Sequence, residues 1–233
     1  MGRQLKGLLY FYATDARYSL LIFWSILLST LLVSIVGAYF LLNVENGQMT
    51  FALSMAIYIY CGITGFIQAK HGIPFSIKMG STRKNIFAGM GLFFLGLALA
   101  KSVLANTIHS VILFGTDKMG ISSYQLIHPA QLLTDTWLTR VIIDATVMFF
   151  LLSFMFLLGL LFYKYGLLGG GVVVGTLAII LLFGLAQGWI ADFFIDIFQS
   201  FDMTFFYEVF AVGIVLYVVT WIMLRRITTE AAR

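Results

Sequence analysis

The sequence predicts an all-α integral membrane protein, an N-terminal interfacial helix followed by six transmembrane helices with both termini cytoplasmic. Three observations carry that expectation. Of 233 residues, 61% are apolar and only 10% are charged, whereas a soluble domain runs near ~25% charged. The 14 Lys and Arg and 10 Asp and Glu leave a net charge of +4, yet they sit in short blocks between long uncharged runs, so the partner they imply is a lipid bilayer and not nucleic acid. The single cysteine, Cys61, excludes an intrachain disulfide and a Cys-rich zinc site.

Residues 1–233 read as one transmembrane domain. Over residues 1–17, Leu5, Leu8, Leu9, Tyr12 and Ala16 recur at helical spacing with Arg3, Lys6, Thr14 and Arg17 largely on the other face, the pattern of an amphipathic helix lying in the interface. A cleaved signal peptide fits less well, because the apolar run that follows is too long for one. A bilayer core of ~30 Å requires about 20 apolar helical residues, since each backbone polar group must be paired within the segment. Spans are expected at about 18–42, 51–69, 85–114, 138–163, 167–191 and 205–224. The linkers between them alternate in charge. Arg3, Lys6, Arg17, Lys70, Lys78, Arg83, Lys84, Lys164, Arg225, Arg226 and Arg233 collect on one side, and Glu45, Asp117, Asp135, Asp192, Asp196, Asp202 and Glu208 on the other, with only Lys118 and Arg140 among them. The positive-inside rule makes the basic side cytoplasmic, which agrees with an even helix count.

Sequence motifs for chemistry are missing. Gly96 to Ser102 is one residue too short for a phosphate-binding loop, and Gly169-Gly170-Gly171 lacks the later glycine of a dinucleotide fingerprint. His71, His109 and His128 lie in three separate parts of the chain, so no metal is assigned. The chain is therefore not expected to be an enzyme or to bind a cofactor of its own.

The most informative stretch is the cytoplasmic linker 70–84 and its continuation. Pro74 restarts a short segment with Phe75, Ile77 and Met79 as apolar contacts, Gly80 breaks it, and Ser81 or Thr82 can cap the next helix. On charge alone it is a basic loop that fixes topology and touches anionic lipid. The run Met79-Gly80-Ser81-Thr82-Arg83-Lys84-Asn85-Ile86-Phe87, however, resembles the Gly-x-Thr/Ser-Arg-Lys-x-x-Phe element between the second and third spans of ABC-2-type bacterial exporter permeases, the membrane subunits of ATP-driven transporters. The interfacial helix, six spans and internal termini resemble that family too. The resemblance implies a permease subunit in a bacterial plasma membrane, forming the translocation pathway as a homodimer or with a sibling permease. It implies a separate cytoplasmic ABC ATPase that holds ATP and Mg, with Phe75, Met79, Gly80, Thr82, Arg83 and Lys84 as the coupling contacts. A hydrophobic peptide, a lipid-like molecule or an antibiotic is a compatible substrate. The alternatives are a secondary transporter or channel-like protein, and a non-transporting membrane scaffold or sensor.

Three further groups stand out. Gly171, Gly175 and Gly184 place small residues on the fifth span, where another helix can approach; packing within one subunit and a dimer interface both fit, and the family resemblance implies the interface. Lys101, Arg140 and Asp144 are charges within or at the edge of spans, expected to meet as a structural ion pair in preference to a substrate or proton site. The segment around 192–204, with Trp189, Phe193, Phe194 and Phe198 against Asp192, Asp196 and Asp202, reads as an external interfacial helix, able to close an outer mouth or simply to form an aromatic belt.

Overall fold

A computed structural model describes residues 2–44, 47–199, 202–225 and 227, apart from the side chains of Phe194, Ile197, Phe198 and Gln199. The chain is all-α, with 85% of the described residues helical. Its helices are α1 (Gly2–Leu41), α2 (Leu53–Lys70), α3 (Gly72–Lys78), α4 (Arg83–Lys118), α5 (Trp137–Ala186), α6 (Trp189–Gln199) and α7 (Met203–Leu224). Four of them, α1, α4, α5 and α7, are long and apolar enough to cross a membrane, as a multi-pass membrane protein requires.

Several boundaries differ from expectation, among them the start of α2 at Leu53 and the end of α4 at Lys118. The interfacial helix and the first span are one uninterrupted helix of 40 residues, about 60 Å long at 1.5 Å per residue, because neither proline nor a turn signal stands near Arg17 and Tyr18 to end it. The fifth span stops at Ala186 rather than 191. Gly188, with φ 84°, turns the chain there into α6.

The expected spans 138–163 and 167–191 meet inside α5 at Gly166, whose φ of 70° and ψ of −171° are not helical. The chain folds back so sharply that a side chain at Gly170 would collide with the ring of Phe162. That backbone region is open essentially to glycine alone. Gly166→Ala is therefore expected to cost about 1–3 kcal/mol, read as a lower thermal midpoint of the purified chain.

α5 is the hub. On α2, Gly65 lies against the Leu152 backbone, where an added Cβ would sit 2.5 Å from its carbonyl oxygen, and at Gly159 one would sit 2.7 Å from both the Ala69 Cβ and the Phe66 oxygen. Small residues thus let α2 and α5 touch backbone to backbone, the arrangement that packs helices where lipid supplies no hydrophobic drive. On the other side α7 meets α5 at Gly213, where an added Cβ would lie 3.1 Å from the Phe150 Cα. Buried Phe94, Phe149, Phe156 and Tyr217 fill the space among α4, α5 and α7.

The bundle has two distinct ends. At one, α1 ends, α2 begins, α4 ends and α5 begins. The two linkers there pair as short parallel strands, β1 (Met49–Phe51) and β2 (Tyr124–Leu126), with Thr50 opposite Gln125. Ser123 Oγ donates to the Ala38 carbonyl at 2.7 Å, Tyr124 OH lies 3.0 Å from Ser34 Oγ, and a 3-10 turn, Pro129–Leu132, follows. Residues 121–136 form a cap on this end. At the other end, α3, the start of α1 and the end of α7 gather around Arg83.

Candidate functional site

The basic linker is a built structure. Pro74 sits in the first turn of α3, where its missing N–H costs nothing. Gly80, at φ 75°, ends the turn, and Thr82 caps α4 by accepting from the Asn85 N–H. The inner face of α3 is buried through Ile73 and Ser76. Ser76 Oγ is 2.8 Å from Tyr12 OH, and Phe75 stacks on Phe11 with ring centroids 4.2 Å apart and planes 14° from parallel. Asn85 donates to the Gln4 side chain at 2.6 Å. Arg83 donates to the carbonyls of Leu224 and Arg225 at the end of α7. Of the six residues singled out for coupling, Phe75, Met79, Gly80, Thr82 and Lys84 remain exposed, whereas Arg83 is half-buried and its guanidinium is engaged within the chain.

The expected Lys101–Asp144 pairing is not made. Lys101 Nζ is buried without a hydrogen-bond partner, 3.5 Å from the ring centroid of Tyr60 and 4.4 Å from that of Phe23. Two physical reasons separate the charges. α4 continues to Lys118, which puts Lys101 about 25 Å from its end, whereas Asp144 is about 10 Å from the start of α5. In addition, Asn106 of α4 reaches Asp144, and a residue five positions earlier points roughly 140° away around the helix. Nor does Arg140 share the carboxylate of Asp144. It binds Asp135 in a two-pronged pair, Nε to Oδ1 at 2.5 Å and Nη2 to Oδ2 at 2.7 Å, a fork that holds the Asp135 carboxyl below the usual carboxylate range.

Asp144 is fully buried and belongs to a network that sequence reasoning missed. Tyr58 OH of α2 donates to its Oδ1 at 2.5 Å, and His128 Nε2 of the cap lies 3.1 Å from the same oxygen. Asn106 Nδ2 of α4 donates to Oδ2 at 2.7 Å, with Ser54 Oγ at 3.5 Å. The carboxylate therefore ties α2, α4, α5 and the cap together. His109 sets its ring edge-on to His128, centroids 5.8 Å apart, and its Nε2 is buried with no hydrogen-bond partner. Two of the three histidines thus converge after all. Among the described residues, no three His, Cys, Asp or Glu side chains converge as metal ligands would. The one legible signal was Asp144 itself, an acid inside an apolar run, which demands buried donors.

The remaining groups divide. Gly171 and Gly175 face open space, while Gly184 is covered by Trp189 and Ile190 of its own chain, because α6 folds back over it. In α6, Trp189 and Phe193 are exposed; Phe194 and Phe198 lie outside the described side chains.

No family model, no curated protein and no solved structure matches this chain.

Proposed function

We propose that the chain is the transmembrane permease subunit of an ATP-driven exporter in a bacterial plasma membrane, coupled through α3 to a separate cytoplasmic ATPase. In this reading α2 and the two arms of α5 join α1, α4 and α7 as six crossings, with both termini and α3 on the cytoplasmic side. The observation that carries it is the seating of α3. A seven-residue helix presents Phe75, Lys78 and Met79 outward while it is fastened to α1 by Phe11 and Tyr12 and joined to α2 and α4 by the chain. Through Arg83 the same corner is fastened to the end of α7. A push on α3 therefore reaches four helices as a rigid-body motion, which a loop that only fixes topology has no need to do. The open faces of Gly171 and Gly175, in the α5 arm after Gly166, support a second permease copy as neighbour.

The test uses full-length tagged protein from its native membranes. ATP hydrolysis is expected to co-purify with the wild type and to fall at least tenfold in Lys78→Glu/Lys84→Glu, two exposed positions whose change leaves the elution volume as it was. Wild-type preparations free of ATP hydrolysis, or a double variant that retains it, overturn the reading. One observation favours a second reading, a secondary transporter: a buried carboxylate and two histidines stand together inside the bundle. Uptake into vesicles of the purified chain, driven by a proton gradient without nucleotide, would select it.

A further inference from the structure

We propose that His128 and Asp144 form a proton-binding site, and that loading it with one proton from water unseats the 3-10 turn of the cap from the bundle.

Hydrogen-bond roles fix the tautomer of His128. The backbone N–H of Ala130 donates to His128 Nδ1 at 3.0 Å, so that nitrogen carries a lone pair. The ring hydrogen is then on Nε2 and points at Asp144 Oδ1, 3.1 Å away. Every other neighbour of the carboxylate is also a donor: the Tyr58 hydroxyl, the Asn106 amide and the Ser54 hydroxyl. The Asn106 amide cannot turn over without breaking its second bond, to the Ser102 carbonyl at 2.9 Å. The network is thus closed in its present protonation state.

A proton added to this closed network has one basic nitrogen to land on, His128 Nδ1. There it places two N–H groups face to face, its own and that of Ala130. Ala130 loses the acceptor that caps the turn Pro129–Leu132, while the imidazolium stays tied to the Asp144 carboxylate. What opens is the turn held by the Gln131 N–H to His128 carbonyl and the Leu133 N–H to Ala130 carbonyl bonds, both 3.0 Å, and by Gln131 Nε2 on the Leu126 carbonyl at 2.6 Å. This is the piece of the cap that closes the bundle end over Asp144.

The other titratable and charged groups around the pair leave this assignment intact. Tyr58 and Cys61 stand near it on α2 and His109 on α4, while Lys101 lies over the rings of Phe23 and Tyr60. Asp135 and Arg140 stand at the entry to α5, already paired with each other, and the Asp135 carboxyl, held low by that pair, stays ionised across the range in which histidines change charge. The proposal holds whichever energy source drives transport, because it rests on the His128–Asp144 pair and the turn that His128 caps.

The experiment is amide hydrogen exchange on the full chain in lipid nanodiscs between pH 8 and pH 5.5, with rates corrected for the intrinsic effect of pH. Protection of the 130, 131 and 133 amides is expected to fall at least tenfold toward the acid end, while amides in the middle of α4 keep theirs. In His128→Gln, an amide that can donate to Asp144 and accept from Ala130 without titrating, the acid loss should vanish. A wild-type change below twofold overturns the proposal, as does an unchanged acid response in His128→Gln. Should that variant not fold, His109→Gln decides. Retention of the acid response there supports His128 as the proton's seat, and its disappearance moves the proton to His109 and overturns the assignment.

Discussion

Gly65→Ala and Gly159→Ala are each expected to lower the thermal midpoint of the purified protein sharply, and together to prevent recovery of a monodisperse chain. Alanine in place of glycine inside a helix is ordinarily a gain of up to about 1 kcal/mol, so the expected loss is a statement about space. At Gly65 the new methyl would stand 2.5 Å from the Leu152 carbonyl oxygen, and at Gly159 2.7 Å from the Phe66 oxygen. Backbone cannot swing aside as a flexible side chain does, and over-packing a close contact costs about 1–3 kcal/mol per site. Two such sites lie on one α2–α5 contact, where the strain is shared and the helices must part. Gly171→Ala and Gly175→Ala provide the contrast, since an added Cβ meets nothing within 4 Å at either. Both should keep or slightly raise the midpoint of the isolated chain. Any loss of association between two differently tagged copies of a Gly175→Leu chain then reports on a partner and not on folding. Size-exclusion profiles and thermal unfolding in one detergent read all of these variants, and an unchanged midpoint for Gly65→Ala would refute the close α2–α5 contact.

Much of the helical architecture was legible because lipid enforces it. Long uncharged runs must be helical when water is absent, and the runs from Tyr18, Asn85, Val141 and Phe205 fall in helices, as do the run from Phe51 after its first two residues and the run from Leu167 up to Ala186. Local chemistry was legible as well: Gly80 breaks, Thr82 caps, and the segment at Trp189 forms a helix. What could not be read was anything decided by contacts distant in sequence. Asp144 meets Tyr58 across 86 residues, Ser54 across 90 and Asn106 across 38, and no spacing rule joins such positions. Pairing Lys101 with Asp144 by opposite sign failed for the same reason, and α4, which runs past 114 to Lys118, sets Lys101 far from the end of the bundle where Asp144 lies. The donor that replaced lysine is an uncharged amide, which a search for opposite charges passes over. The join of the N-terminal amphipathic stretch to α1 was hidden differently. Periodicity marks which face is apolar, but only a breaker marks where a helix ends.

Asp144→Ala is expected to be the most damaging single change in the chain, with a loss of about 3–5 kcal/mol, the usual penalty for removing one partner of a buried charged cluster. The carboxylate is fully buried, and its neighbours Ser54, Asn106 and His128 are buried donors. Without it, the Tyr58 hydroxyl and His128 Nε2 lose their acceptor, whereas Asn106 keeps a bond to the Ser102 carbonyl. The order of damage across variants is the sharper test. Asp144→Asn fits the space but aims its NH2 at a ring of donors, so it should lose nearly as much as alanine does. Tyr58→Phe removes one donor from a carboxylate that keeps the others, and should cost about 1 kcal/mol. His128→Ala should loosen the cap more than the bundle, because it removes both the tie to Asp144 and the acceptor for Ala130. A purely steric role for Asp144 predicts a wide gap between the two, with asparagine harmless and alanine alone damaging. Thermal unfolding of the four purified variants separates the two accounts, and an Asp144→Asn midpoint equal to that of the wild type would refute a network built on acceptance by the carboxylate.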